Sequence, residues 1–519
     1  MVHLHALDVA AISVYVLLTI GIGIWTARGH TTAADLFLAG RSLGPVAVGF
    51  SLFASNISSD TLIGLPGAAY ASGISAANYE WMASAVLMVS VFWVYPVLIR
   101  SRVTTLPELM QRRFDARMRR YLSATTLFLS IVLDTAGTLY AGALVVTTFT
   151  PGLSLTVATL AMALFTAAYT AAGGLRAVVY TDVMQALVLV GGSTMLAWIV
   201  FGHYDYSWSK VQAQVPASHL TLIRPMNDPG VPWLGLITGL PVVGFYYWTM
   251  NQYIIQRVLG ARDLPAAGRG ALLAGGLKLL PLFIMTLPGA MAIPLLPHLA
   301  HPDQVWPELV FRFAPAGLTG VMIAALLAAL MSTCSATLNS AATLLTLDFL
   351  VPTRQHWTQD QITRAGRIFT VIIAVVAAMW APQIAHFQGL WAYLQQVFAF
   401  VASPLVAIFV LGLALPSLGP TAALRGLLSG HVLSAALFIA QQAGWMRIHF
   451  TVVGGVLFAV TVVLTCGWMS ALGPNDQTDP TGSRATLLSR VNLPRLPADV
   501  YVLAAIVLAG IGSVLWMFW

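Results

Sequence analysis

Six ionisable side chains stand inside apolar stretches of this chain: Asp60, Glu80, Asp134, Asp182, Lys278 and, near the end of its stretch, Asp348. An ionisable group in a membrane-spanning segment is costly, so each is a functional candidate by default. Asp182 and Asp348 lie close enough to segment ends to be solvated or to cap a helix. Glu80, in A-N-Y-E-W-M, and Lys278, in G-G-L-K-L-L-P, lie deeper. Two readings fit them: a buried ion pair that only joins helices, or two walls of a pocket that a polar ligand bridges. Aromatic residues fall at the same depth, Tyr79 and Trp81, then Tyr246, Tyr247 and Trp248. Their rings supply apolar walls with polar tips, suited to a small ligand with a polar rim. Gln395, in W-A-Y-L-Q-Q-V, adds donors and an acceptor from another span.

A second chemistry is written into Ser51 to Gly64, S-L-F-A-S-N-I-S-S-D-T-L-I-G, in the middle of an apolar run. So many small and polar residues let the backbone leave the helix. Freed carbonyls survive at membrane depth only when buried in protein or facing water, and in transporters such breaks coordinate cations. The alternative is a polar helix face packed on its neighbours. In A-A-L-M-S-T-C-S-A-T-L-N-S-A-A-T, Ala329, Ser332 and Thr333 stand at i, i+3 and i+4 and share one face. Two hydroxyls there suit a hard monovalent cation, or equally a helix–helix contact.

The elements that must position these residues are membrane helices. The chain has 519 residues, 58% hydrophobic and only 8% charged. About fourteen apolar runs of spanning length follow one another. The net charge of +7 lies in loops, which leaves no case for nucleic-acid binding. Twenty of the 25 Lys and Arg residues, seven of them between Arg100 and Arg120, fall in alternate loops. Those loops are therefore inside, and both termini are expected outside. The first run, Leu7 to Ala27, lacks leading Lys or Arg and a small-residue cleavage pattern, so it is expected to be a retained helix. Cys334 and Cys466 sit in apolar runs and read as packing residues. Neither Lys210 nor Lys278 sits in a Walker A motif, and no G-x-S-x-G or H-E-x-x-H set occurs, which argues against an ATP-driven pump or a membrane-embedded enzyme. A weak repeat is visible: the break near Ala54–Ser59 has a counterpart in G-L-P-V-V-G-F-Y-Y-W, where Pro241 and Gly244 are expected to interrupt the helix. Each is followed by a span with one buried charge, and interruptions at matching positions of two halves point to a midplane site.

These residues and motifs resemble the sodium/solute symporter family, and within it the sodium/glucose cotransporter branch. The resemblance runs from Leu36 to Leu415 through L-F-L-A-G-R-S-L-G, A-S-N-I-S-S-D-T-L-I-G, Y-E-W, A-A-Y-T-A-A-G-G-L-R-A-V-V-Y-T-D-V-M-Q, Y-Y-W-T-M-N-Q-Y-I-I-Q-R, L-K-L-L-P-L-F-I and A-L-M-S-T-C-S-A-T-L-N-S-A-A-T-L-L-T-L-D. It implies an all-α polytopic membrane protein of about fourteen helices, with an inverted five-helix repeat of the leucine-transporter type and broken first and sixth core helices. The implied divisions are 1–43, an extra helix and inner loop; 44–201, the first repeat; 202–232, an outer loop; 233–415, the second repeat; and 416–519, three further helices with an inner linker at 471–497.

The resemblance also implies roles. Sodium would be held by the carbonyls of Ala54, Ile57 and Ala329 and the hydroxyls of Ser332 and Thr333. Substrate would meet Asn56, Thr61, Glu80, Tyr247, Trp248, Lys278 and Gln395. Leu65, Tyr79 and Trp391 would form an outer gate and Tyr247 an inner one. A second cation site at Ser332, Ser335 and Asp182 would lack one hydroxyl, because residue 336 is Ala. Thr61, Ala83 and Gly244 depart from polar sugar contacts of relatives. The expectation is a symporter carrying one sodium per monosaccharide, with glucose or galactose as the type. The same fold carrying an inositol, nucleoside, acidic sugar or amino acid, with a proton as another coupling ion, is the alternative. The implied partners are sugar, sodium and the lipid bilayer of a bacterial inner membrane or plasma membrane. No nucleic acid, obligate protein partner or cofactor beyond the coupling ion is expected.

Overall fold

The computed structural model describes residues 5–26, 41–103, 105–150, 152–170, 175–350, 357–387, 389–473 and 495–519. The inner linker expected at 471–497 lies mostly outside them, as do Arg28, Arg354, Arg484 and Arg490. The described residues are mostly helical and form no strand, only two isolated bridges, Leu43 with Ala261 and Arg224 with Pro232. Among them nine helices are long and apolar enough to cross a membrane, and two bent pairs raise this to eleven.

The helices that matter for the site are α1 (Ala6–Thr26), α2 (Pro45–Asn56), α3 (Ser59–Ser72), α4 (Asn78–Trp93), α5 (Ala116–Leu129) and α6 (Ala136–Phe149). They continue with α7 (Trp233–Phe245), α8 (Gln252–Leu259), α9 (Leu264–Leu277), α10 (Leu318–Leu344), α11 (Leu390–Ala414) and α12 (Phe450–Leu472). Helices α2 and α3 form one bent pair, with 58° between them. Their junction is two residues long: Ile57 leaves helical geometry and Ser58 is extended. The N–H of Ser58 donates to the Asn56 carbonyl at 2.9 Å instead of reaching Ala54. Helix α3 then restarts with Ser58 as its cap, the Ser58 hydroxyl accepting from the Asp60 N–H at 3.2 Å. A short polar side chain at this position supplies a bond that the first turn cannot make for itself.

The second interruption does not lie where the sequence suggested. Pro241 and Gly244 are both inside continuous α7. Membrane helices tolerate proline where neighbours take up the freed groups. Gly244 keeps its place because α4 passes close by; a Cβ there would stand 3.3 Å from Val86. The helix widens into a π-turn at Tyr246–Met250 and stops at Asn251, whose backbone is extended. The Asn251 N–H still finds the Tyr246 carbonyl, at 2.9 Å.

Packing fixes these pieces. Helix α9 lies on α2 and on α4, and α10 packs against α3 and the π-turn between α5 and α6. Asp8 of α1 accepts from the Gly317 and Gly320 N–H groups at 2.7 and 2.8 Å, capping α10. On one side buried Asp303 accepts from the Leu390 N–H and from the Tyr140 hydroxyl, at 2.9 and 3.2 Å for the nearer oxygen, holding the start of α11. At the other end of α11, Arg113 donates to the carbonyls of Gly412, Leu415 and Leu418. Helices α7 and α12 cross at Gly235, Gly239 and Gly455, where an added Cβ would collide with Thr451 or Thr238 of the facing helix.

Candidate functional site

One cavity sits where the two interruptions face each other, with about 680 Å³ of empty space including its open side. Its wall is drawn from α2, α3, α4, the π-turn before α6, α7 with its π-turn, α8, α9 and α11. Asn56, Thr61, Glu80, Tyr247, Trp248, Lys278 and Gln395 all line it. Residues from more than 300 positions apart in the chain thus converge, which spacing alone could not establish.

Lys278, at the end of α9, is 1% exposed and Glu80, near the start of α4, is 3% exposed. They form an ion pair, and the Lys278 ammonium also donates to the side-chain oxygen of Asn56. Its nitrogen lies 5.7 Å from the centre of the Trp248 ring. The ion pair and the pocket, two readings of the sequence, are therefore one arrangement. The charges neutralise each other while both still face the cavity. A buried pair of this kind is weak evidence for stability, because desolvation cancels much of the attraction; its position in a cavity wall gives it a use. Thr61 spends its hydroxyl hydrogen on the Asn56 carbonyl at 2.8 Å, tying the start of α3 to the end of α2.

Aromatic rings form two contacts in the wall. Tyr79 and Trp391 meet edge to face at 5.7 Å. In the other, Tyr247 packs edge to face on Trp248 and Phe398, and its hydroxyl bonds that of Tyr253 at 2.7 Å. Leu65 is fully buried and is absent from the cavity wall. Ala83 and Gly244, the two small residues, do line it. So do Tyr253, Ser58, Asp60 and Asp134, whose place in the wall the sequence did not reveal; the two acids were visible there only as buried charges without a partner. Besides Glu80 Oε2, which is held in the ion pair with Lys278, three buried polar atoms of the wall have no hydrogen-bond partner among the described residues: Asp60 Oδ1, the Tyr79 hydroxyl and Trp391 Nε1. Unmet groups of this kind are costly unless a ligand completes them.

Beside the cavity, the backbone of the first interruption carries unused acceptors. Among the described residues no backbone N–H is bonded to the carbonyls of Ala54 or Ile57. Ala329 and Thr333 are buried on α10, which packs on α3. Ser335 is half-buried on the same helix. The side chains of Ser332 and Asp182 lie outside the described ones. The free carbonyls of Ala54 and Ile57 are neutral oxygens, a donor type that suits a hard cation better than a soft one. Asp348, by contrast, is bonded to Arg119 at 2.6 Å and to Ser123, away from the cavity; its place near a segment end suggested solvation or a cap, but it is buried in a contact that joins helices.

A family model described as the sodium:solute symporter family matches residues 36–430. Human sodium/glucose cotransporter 4 is 34% identical over 470 residues, covering 83% of this chain and 68% of its own. Rat sodium/glucose cotransporter 2 is 32% identical over 537 residues, covering 91% and 79%. In fold, the chain is similar to a Na⁺-coupled sialic acid symporter in a substrate-bound outward-open state, with TM-score 0.76 and 22% identity over 91% of this chain and 99% of that one. Inward-facing Mhp1 follows with TM-score 0.59 and 16% identity over 89% and 98%.

Proposed function

The chain belongs to the sodium:solute symporter family, and we propose that it carries a monosaccharide of the glucose or galactose type inward by alternating access, one sodium per sugar. The family is one of coupled transporters, so the chain is a membrane transporter and not an enzyme. The observation that carries the sugar reading is the composition of the cavity wall. Glu80 offers acceptors, Lys278 donors, Asn56 and Gln395 both, and Trp248 a flat face. A pyranose presents the same alternation of hydroxyl rim and apolar face. A buried wall that expects hydroxyls rejects analogues lacking them, since its own polar groups would stay unpaired. An acidic sugar suits the wall less well, because Asp60 and Asp134 also face the cavity.

Sodium would sit on the carbonyls of Ala54, Ile57 and Ala329 with the hydroxyls of Ser332 and Thr333. The coupling then has a short path. The turn that holds the ion also carries Asn56, whose side chain takes part in holding Lys278. Ordering the turn around the ion orders one wall of the sugar pocket, and each ligand thereby favours the other. Tyr79 and Trp391, with Leu65 behind them, would close the outer side and Tyr247 the inner. Fourteen spans, ten of them in two inverted five-helix repeats, with both termini outside complete the scheme. Ala336 removes one oxygen from the second cation position at Ser332, Ser335 and Asp182, which favours a single ion. One charge falling through ~100 mV supplies ~2.3 kcal/mol and a tenfold sodium gradient ~1.4 kcal/mol more, enough for roughly a few hundred-fold accumulation.

The test is uptake of labelled hexose into proteoliposomes under a sodium gradient. Stimulation by sodium, none by choline, and competition only by sugars with the matching hydroxyl pattern are expected. Equal uptake under a pH gradient in sodium-free buffer would overturn the choice of coupling ion, and no competition by any hexose would overturn the sugar.

A further inference from the structure

The cavity wall holds more acidic side chains than its lysine can pair with. Lys278 is shared between Glu80 and Asn56, and no Arg lines the cavity. Asp60, on the first turn of α3, and Asp134, in the π-turn before α6, are 8% and 6% exposed. Neither has a salt bridge among the described residues, and no described hydrogen bond reaches the Asp134 carboxylate.

Both acids line the same cavity, and Thr138, one turn beyond Asp134, ties Asp60 to the helix that follows Asp134. Its hydroxyl is 2.6 Å from the Asp134 carbonyl and 3.2 Å from Asp60 Oδ2. A hydroxyl has one hydrogen, and the shorter contact takes it. Asp60 Oδ2 then keeps only a weak bond from Thr138; the Ser58 and Ser59 hydroxyls stand beside the carboxylate, and Oδ1 has no hydrogen-bond partner among the described residues. Burying a carboxylate in this way is expensive unless a positive group arrives. On another part of the same wall the indole N–H of Trp391, itself 8% exposed, also lacks an acceptor. The unmet groups thus call for a ligand with an acceptor toward Trp391 and a cationic donor toward the acids.

We propose that Asp60 and Asp134 form an anionic subsite of this cavity that receives a protonated amine of the substrate, so that the preferred solute is an amino sugar. The proposal rests on the sugar reading above and narrows it. A bare sodium ion needs a closed shell of oxygens to replace its water, whereas this pair opens into the space that Glu80 and Lys278 share. An ammonium needs only a few acceptors on one side, and its sugar ring fills the rest.

Binding of D-glucosamine, D-glucose and N-acetyl-D-glucosamine to purified protein in sodium buffer, below the amine's pKa, tests this. Glucosamine should bind at least about tenfold tighter than glucose, and the uncharged N-acetyl compound should lose that advantage. Asp60→Asn and Asp134→Asn should each bring the glucosamine-to-glucose ratio toward one. Detergent melting curves show which variants are folded, and either variant alone suffices. Equal affinity for the three sugars overturns the subsite while leaving the sugar reading intact. Two charges moved per glucose, reduced to one in either variant, would assign the acids to a second sodium and also overturn it. Binding of none of the three would overturn the sugar reading and the subsite together.

Discussion

The two interrupted helices break in different ways. Between α2 and α3 the chain turns through 58° in two residues, using Ser58 and its small polar neighbours, and leaves the carbonyls of Ala54 and Ile57 without backbone donors. Between α7 and α8 the helix first widens into a π-turn of Tyr246, Tyr247, Trp248, Thr249 and Met250, and its stop at Asn251 keeps the Tyr246 carbonyl bonded. Small residues free backbone; large rings need room and take it by widening the helix. The first break therefore offers oxygen, and the second offers walls. An ion site belongs with the former and the shape of a solute with the latter.

The largest expected effect comes from cutting the joint between the helices that follow the two breaks. Lys278→Ala or Glu80→Ala leaves one uncompensated buried charge, so substrate binding should vanish and stability fall by about 3–5 kcal/mol. Glu80→Gln with Lys278→Met should recover much of the melting temperature and none of the uptake. Normal uptake by that double variant would mean that the pair only holds helices.

Next in size is the first break. Ser332→Ala with Thr333→Ala should abolish sodium stimulation, while sugar specificity among whatever uptake remains stays unchanged. Charge moved per sugar in wild-type proteoliposomes should approach one; a value near two would place a second ion despite Ala336. If the double variant instead changed which sugars compete, the division of labour between the breaks would fail.

The second break should answer in the opposite sense. Tyr247→Phe removes a hydroxyl bonded to Tyr253 at 2.7 Å, worth about 1 kcal/mol. It should raise leakage of preloaded sugar from proteoliposomes and leave the sodium concentration for half-maximal uptake within about twofold. A large shift in sodium dependence would count against the comparison.

The smallest effects separate the two stops themselves. Ser58→Ala loses the bond to the Asp60 N–H and should cost about 1 kcal/mol. Asn251→Ala loses no side-chain cap bond and should cost less. Melting curves of the two variants, read side by side, give the order.

Much of this was legible in the sequence because membrane chemistry leaves few choices. Polar residues packed at mid-depth around Asn56 had to mean broken backbone or a packed face, and depth alone singled out Glu80 and Lys278. The position of the second break was not legible. Pro241 and Gly244 are breakers by local rule, but Pro241 is carried within α7 and Gly244 is needed for the approach of α4. The helix widens and stops at a run of four aromatic residues, Phe245 to Trp248, two of which pack on Phe398 far along the chain. The convergence of Asp60 and Asp134 was hidden for a related reason. Their place in one cavity wall depends on how α3 lies along α6, and no periodicity within either segment records that.

The glycine crossing of α7 and α12 bears on where this machine has its fulcrum. With Gly235, Gly239 and Gly455 each filled by the facing helix, the two helices have no clearance to slide or roll, and α7 moves only if α12 moves with it. Helix α7 is thus anchored like a post, and the crossing does not extend beyond the π-turn, where Asn251 starts a separate helix. A variant that fills one of these glycines, Gly239→Ala, should therefore disturb α7 and α12 together, while the Tyr247–Tyr253 contact beyond the crossing belongs to a different joint.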